Sequence, residues 1–133
     1  MEKMQKIQKI RSDLRELRKL SHAITTQLEL KHRHEERRAY LKGLGSLDVM
    51  IEIERIDAIL ASLKIEDSIK RAGELELAYM EAIGKLGIID RTVVIDGYLN
   101  GVPFWKIGKK LGYSEDGIKK RAARALDKLA EML

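Results

Sequence analysis

Apolar residues recur along most of this chain at alternating spacings of three and four, the pattern of an amphipathic α-helix. The first series extends from residue 4 to about residue 38 and is interrupted at Ser21. Its average period of 3.5 is that of a coiled coil. Its members are Met4, Ile7, Ile10, Leu14, Leu17, Ile24 and Leu28. A helix of this length spans roughly 50 Å and needs a partner helix to cover its apolar stripe.

The partner of this long helix is left open by the pattern. A second copy of the chain would form a homodimer through the seam at Ile7, Ile10, Leu14 and Leu17. Alternatively, residues 48–83 fold back onto the first helix, with acidic side chains against basic ones. The basic run at residues 31–38 includes Arg33, Arg37 and Arg38, which are candidates for contact with DNA phosphate or with an acidic partner.

A break at residues 42–48 separates the long helix from two further apolar series. Two glycines and two helix-capping residue types within this segment predict the end of one helix and the start of another. The second helix is predicted from Asp48 to Lys64, and the third apolar stripe from Ile69 to Leu86, with a break or kink at 65–68. The second helix has a wide apolar surface, which predicts burial between neighbouring helices. The residues that widen it are Met50, Ile51, Ile59 and Ala61.

The C-terminal residues predict three shorter helices. Asp90 is a candidate cap for a helix from Arg91 to Leu99. The β-branched residues 93–95 within this segment would favour a strand in isolation. A second helix runs from Pro103, which suits a first helical position, to Leu111. Gly112 is placed to end it in the left-handed conformation.

The last helix is predicted to begin at the N-cap Ser114 and to continue to Leu129. An apolar stripe lies along one side of this helix, and a row of cations lies along the opposite side. The stripe comprises Ile118, Ala122, Ala125, Leu126 and Leu129, and the cations are Lys119, Lys120, Arg121, Arg124 and Lys128. A short helix, a glycine-containing turn and a second helix with a basic outer face are typical of a DNA-binding helix-turn-helix.

Composition supports an all-α protein and narrows its chemistry. Helix-forming residues dominate, there is one proline and there are no cysteines, which excludes disulfides and thiolate metal sites. No apolar run approaches ~18 residues, so we expect no membrane span, and the polar N-terminus does not resemble a signal peptide. We therefore expect a cytoplasmic protein. No nucleophile, acid–base pair or metal-ligand set emerges, so we expect neither an enzyme nor a cofactor.

The net charge of +5 is unevenly distributed, and three segments are predicted from it. Residues 1–42, the coiled-coil-like helix, carry +6; residues 43–83, the acidic helical segment, carry −5; residues 84–133, the helix-turn-helix head, carry +4. A basic head of this kind suits a polyanion such as double-stranded DNA.

The last fifty residues resemble region 4 of sigma-70-type transcription initiation factors. The resemblance rests on Leu86, on the segment from Asp90 to Gly101, and on the residues of the helix-turn-helix that follow it. Those residues are Ile107, Leu111-Gly-Tyr-Ser114, Ile118-Lys119, Arg121 and Arg124-Ala-Leu-Asp-Lys-Leu129. Phe104-Trp105 and the turn sequence Gly-Tyr-Ser are more similar still to small phage and prophage regulators of the RinA/ArpU type, which activate late genes.

This resemblance implies a DNA-binding transcriptional regulator, with RNA polymerase as a second candidate partner. The chain departs from the family pattern at Gly117 and in the acidic tip formed by Glu115 and Asp116. Those carboxylates are interpreted either as acceptors for cytosine N4 or as a helix cap favoured by the dipole.

Helical spacing assigns roles within the head. The predicted base-facing residues are Glu115, Asp116, Lys119, Lys120 and Ala123. The predicted phosphate contacts are Lys106, Lys109, Lys110, Arg121, Arg124 and Lys128. Trp105 is interpreted either as a core residue or as an exposed contact for DNA sugar or a protein.

Two alternatives to a transcriptional regulator come from other functional classes. One is a phage factor that binds protein and engages or inhibits host RNA polymerase through the same head. The other, more remote, is a small packaging-terminase subunit, since such subunits also join a helix-turn-helix to an oligomerising helical segment.

Overall fold

The computed structural model describes residues 2–133, and these form α-helices joined by short turns. No strand occurs among these residues, which confirms the all-α prediction and the long N-terminal helix. The elements are α1 (Glu2–Lys42), α2 (Leu47–Ser62), α3 (Ile65–Gly84), α4 (Ile88–Val94), a π-helical turn (Ile95–Leu99), α5 (Phe104–Leu111) and α6 (Glu115–Met132). No helix within the described range is long and apolar enough to cross a membrane.

The predicted breaks are found close to where the sequence places them. The turn after α1 ends at Ser46, whose hydroxyl accepts a hydrogen bond from the Val49 N–H at 3.4 Å. The break before α3 falls at Leu63 and Lys64, slightly before the predicted residues 65–68. The β-branched run at residues 93–95 is helical, as predicted, because tertiary packing overrides its local strand preference.

The chain divides into two compact units, and the division does not follow the predicted segments. The first, the head unit, comprises the residues up to Lys19 together with Ala72–Leu133, and the second, the arm unit, comprises Leu20–Arg71. Helices α1 and α3 therefore each contribute to both units. The distribution of charge along the sequence could not locate the boundaries between the two units, because these boundaries fall inside α1 and α3 rather than at glycine-containing turns.

In the head unit the first part of α1 is part of the core. Ile10, Leu14 and Leu17 retain 2%, 0% and 3% of their surface, and the Tyr79 hydroxyl of α3 donates a hydrogen bond to the Asp13 carboxylate. The seam that suggested a homodimer is thus covered within one chain. Of the two alternatives for α1, the structure shows the intramolecular one for these residues.

A second set of helices completes the head unit. Helices α4, α5 and α6 pack together around Val93, Ile107, Ile118 and Ala122. Partly buried side chains surround these four, including an edge-to-face pair formed by Tyr98 and Phe104 with ring centroids 6.3 Å apart. Three helices closing one apolar core give α6 a fixed position against α4 and α5.

The arm unit has a sparse core. Within Leu20–Arg71 the buried apolar side chains are Leu41, Ile56 and Ile65. Two ion pairs join α1 to α2, from Arg38 Nε to Asp57 Oδ1 at 2.7 Å and from Arg37 Nε to Glu52 Oε1 at 3.7 Å. The acidic partner sought for these arginines therefore lies in the same chain.

The prediction that α2 is buried between neighbouring helices is wrong for this single chain. Leu47, Met50 and Ile51 remain 75%, 60% and 55% exposed. The side of α2 that contains Ile56 is covered, and the ion pairs described above join α2 to α1.

Candidate nucleic-acid interface

The turn between α5 and α6 is built on two glycines. Gly112 has φ 80°, the left-handed region that favours glycine, and its N–H donates to the Gly108 carbonyl at 2.8 Å. The Tyr113 N–H donates to the same carbonyl at 2.9 Å. A Cβ atom on Gly108 would lie under 3.0 Å from the Tyr113 backbone oxygen. Any other residue at position 108 would press its Cβ atom against this oxygen, so the close approach of the turn to α5 requires glycine.

The start of α6 is capped as predicted. Ser114 accepts a hydrogen bond from the Gly117 N–H at 3.0 Å, and Glu115 and Asp116 occupy the first turn, where the helix dipole favours negative charge. A Cβ on Gly117 would lie 3.2 Å from the Ser114 hydroxyl oxygen. The glycine that departs from the family pattern thus leaves room for the capping hydroxyl.

The two sides of α6 differ sharply in burial. Its apolar stripe is buried as predicted, and Ala130 extends it. All five predicted base-facing residues, Glu115, Asp116, Lys119, Lys120 and Ala123, are exposed. Lys119 pairs with Glu115 at 3.8 Å, whereas Lys120 has no ion-pair partner among the described residues. An exposed pair of this kind costs little to break, so the whole surface is accessible.

The six predicted phosphate-binding cations fall into three groups. Lys106 and Lys109 lie over the Trp105 ring, at 5.7 and 5.6 Å from its centroid. Lys110, Arg121 and Lys128 each have a carboxylate partner within the chain. Arg124 is exposed and, within residues 2–133, has no ion-pair partner.

Asp90 has a different role from the predicted helix cap. Helix α4 begins one residue after Gly87, without a side-chain cap, and Asp90 lies within its first turn, 8% exposed. Its carboxylate accepts hydrogen bonds from Lys128 Nζ at 2.9 Å and Arg121 Nη1 at 3.3 Å. It therefore ties α4 to α6.

The ionisation of Asp90 reflects this contact. Burial by itself would raise the pKa of Asp90, but the hydrogen bonds and charges of Lys128 and Arg121 outweigh it, so the pKa lies below its ordinary value of 3.8. Arg121 also stacks on Tyr113, with its guanidinium 4.8 Å from the ring centroid. The Arg121 side chain is thus held by contacts within the head unit, whereas the Lys128 side chain remains half-exposed.

Trp105 is on the surface rather than in the core. It is 48% exposed, and the neighbouring Phe104 takes the half-buried position against the head core. A large aromatic ring flanked by Lys106 and Lys109 presents an apolar face within a positive environment.

One group of cations in the head unit was not singled out from the sequence. Arg11, Arg15 and Lys19 line one side of α1, opposite the buried stripe, and have no ion-pair partner among the described residues. The signal was available in the same 3.5 period, since residues opposite Leu14 and Leu17 must face away from the core. These three cations could bind phosphate.

No group of three His, Asp or Glu side chains within residues 2–133 is arranged to hold a metal ion. Comparison with protein-family models, with curated proteins and with solved structures finds no match to this chain.

Proposed function

We propose that this protein is a sequence-specific DNA-binding transcriptional regulator of the cytoplasm that reads the major groove with α6. One observation carries the proposal: a short glycine turn and an N-cap present an exposed, cation-bearing face of a helix whose other face is fully buried. That arrangement leaves the first turns of α6 free to approach base edges. The more specific role, activation of late genes by a phage-derived regulator, rests on the sequence resemblance alone.

Individual roles follow from which side chains are free. Lys120 is the best candidate for a guanine edge or a phosphate, since the chain itself gives it no counterion. Asp116 is free to accept from cytosine N4. Arg124 is assigned to the DNA backbone, together with Lys106 and Lys109. Arg121 and Lys128 are reassigned mainly to holding α6 through Asp90.

The test begins with selection of bound sequences from a random pool of double-stranded DNA. Affinity for the selected site is then measured by fluorescence anisotropy for the wild type, Lys120→Ala and Arg124→Ala. We expect the Lys120→Ala variant to lose about tenfold or more, as for a base-edge contact worth about 1–3 kcal/mol. Arg124→Ala should weaken all sequences similarly and reduce the slope of log affinity against log salt by about 1.

Lys85→Ala is the matched control, because Lys85 lies in the turn after α3, outside α5 and α6, and pairs with Glu81 at 3.6 Å. Its affinity should equal that of the wild type. An affinity that barely changes between low and moderate salt, or an equal loss in Lys85→Ala, would contradict the proposal.

A second candidate function is contact with RNA polymerase, and the exposure of Trp105 favours it. Tryptophan is enriched among the residues that dominate protein interfaces, and this ring is 48% exposed on α5. Trp105→Ala should then retain DNA affinity yet lose a supershift of the DNA complex by polymerase. Loss of DNA affinity together with the supershift would instead assign Trp105 to the DNA contact.

A further inference from the structure

Helix α2 has two apolar faces, and this chain covers one of them. The inner face contains Ile56, which is buried, and half-buried neighbours at Val49, Ile53 and Leu60. The opposite side, which we call the outer face of α2, consists of residues spaced by four, three, four and three. These residues are Leu47, Ile51, Glu54, Ala58 and Ala61. This is the spacing of a coiled-coil seam, with one charged residue at its centre.

The outer face is apolar and open to solvent. Leu47 and Ile51 are 75% and 55% exposed, and Met50 beside them is 60% exposed. A separate groove of about 310 Å³ lies on the inner side of α2, beside the end of α1, and is lined by Leu41, Val49, Met50 and Ile53 among others. Since three apolar side chains are buried within Leu20–Arg71, the arm unit has much apolar surface left to cover.

We propose that the outer face of α2 binds the same face of a second copy of this chain, antiparallel, with the two-fold axis passing near Glu54. A two-fold pairing brings the same patch of both copies together. With the axis at Glu54, Leu47 of one copy lies opposite Ala61 of the other, and Ile51 lies opposite Ala58. Each large side chain thus meets a small one.

The antiparallel orientation follows from the uneven size of the seam residues. In a parallel pair, Leu47 and Ile51 would meet their own copies at one end, and the two alanines would meet theirs at the other. The helix axes would then diverge and leave poor packing at one end. An antiparallel pair keeps the axes evenly spaced, because large-against-small contacts occur on both sides of Glu54.

A second copy fits this face better than an unrelated protein. In an antiparallel pair, the large residues at one end of the seam meet the small residues at the other end of an identical seam. The large apolar side chains exposed here are Leu47, Met50 and Ile51, so the area that the pair buries falls below the about 800 Å² per partner of a standard interface. We therefore expect a dissociation constant in the micromolar range. The two Glu54 carboxylates near the axis repel each other and weaken the pair further.

The dimer does not depend on DNA binding, which allows the two proposals to fail separately. If the head binds DNA as proposed, two copies would supply two reading helices for two half-sites. Self-association is therefore measured on the full chain without DNA.

The first experiment is sedimentation equilibrium across the micromolar range, with helicity checked by circular dichroism. We expect the wild type to dimerise, Ile51→Glu to weaken dimerisation at least tenfold, and Glu54→Leu to strengthen it. Leu77→Glu is the matched control, because Leu77 is 86% exposed on α3 outside the arm unit. A wild type that stays monomeric, or a dimer that Ile51→Glu does not affect, would overturn the proposal.

The second experiment uses single cysteines, since the chain contains none. Under mild oxidation Glu54→Cys should form a covalent dimer, because the two positions meet at the axis. Leu47→Cys alone should not, whereas a mixture of Leu47→Cys and Ala61→Cys should cross-link. Glu81→Cys, exposed on α3, provides the background level. Efficient cross-linking of Leu47→Cys with itself would show a parallel pair and overturn the orientation, even if Ile51→Glu fails to fold.

Discussion

The head unit and the arm unit cover the apolar sides of their helices to different extents, although α1 and α3 contribute to both. In the head unit, Leu14 and Leu17 of α1 are almost completely buried. In the arm unit, Leu28 of the same stripe remains 46% exposed. The hydrophobic period of α1 therefore predicts where a stripe lies, but not which partner covers it or whether one is present.

The same contrast appears in the use of charge. In the head unit, Asp90 is buried and accepts hydrogen bonds from two cations of α6. In the arm unit, the pairs of Arg37 and Arg38 with α2 lie at partly exposed positions. Exposed pairs contribute little to stability, so the arm unit lacks both a dense core and strong polar contacts.

The largest expected difference is between matched truncations in the two units. Leu14→Ala should lower the free energy of unfolding by about 3 kcal/mol, because the substitution leaves a cavity in the buried core. Ile56→Ala should cost about 1–2 kcal/mol, since half-buried neighbours and water can fill the space. Urea denaturation of both variants at one protein concentration measures the difference.

The effect of Leu14→Ala should not change with protein concentration, because Leu14 packs inside one chain. A concentration-dependent loss would instead place Leu14 in a dimer seam. Equal losses for the two variants would mean that the arm unit is as well packed as the head unit.

A glycine pair in the head unit gives the next largest effect. Gly108→Ala should cost about 2–3 kcal/mol, because the new Cβ would press against the rigid Tyr113 backbone oxygen. Gly73→Ala, where no atom lies within 4 Å of the added Cβ, should instead stabilise α3 by about 0.5–1 kcal/mol. Thermal unfolding of both variants tests this, and destabilisation by Gly73→Ala would count against the helical assignment at that position.

The parts of this fold that the sequence predicts well are those set by local chemistry. The αL glycine at Gly112, the Ser114 cap and the buried stripe of α6 all depend on residues within a few positions of one another. The break after α1 is of the same kind. Each was predicted from a residue type whose backbone preference acts locally.

The parts that the sequence misses depend on contacts between distant residues. Asp90 looks like a cap, yet its carboxylate is taken by Arg121 and Lys128, thirty-one and thirty-eight positions later. Trp105 and Phe104 are adjacent aromatic residues, and no local rule decides which one turns inward. The inner and outer faces of α2 are both apolar, so periodicity cannot tell the covered face from the exposed one.

The buried carboxylate gives a prediction about pH. Asp90→Asn should cost about 1–2 kcal/mol at pH 7, since hydrogen bonds to charged groups contribute more than neutral ones. The folded-state pKa of Asp90 is lowered, so this stability is present above the unfolded pKa, near 3.8, and is lost as pH falls through the folded pKa.

The stability gap between wild type and Asp90→Asn should therefore narrow below about pH 3.8. Asp67→Asn is the control, because Asp67 is exposed on α3 and has no ion-pair partner among the described residues. Urea denaturation at several pH values measures the gap. A gap that stays constant through the acid range would mean that the Asp90 charge contributes nothing to folding.

The smallest expected effects come from the two serine caps, one in each unit. The Ser114 hydroxyl accepts from Gly117 N–H at 3.0 Å, while Ser46 accepts from Val49 N–H at 3.4 Å, beyond the usual range of good hydrogen bonds. Ser114→Ala should therefore cost about 1 kcal/mol and Ser46→Ala about 0.5 kcal/mol or less.

Because Ser114 fixes the first turn of α6, its replacement should also reduce DNA affinity, whereas Ser46→Ala should not. Hydrogen exchange of the Gly117 and Val49 amides in both variants resolves these local changes. Equal exchange protection at the two amides in the wild type would remove this difference between the units.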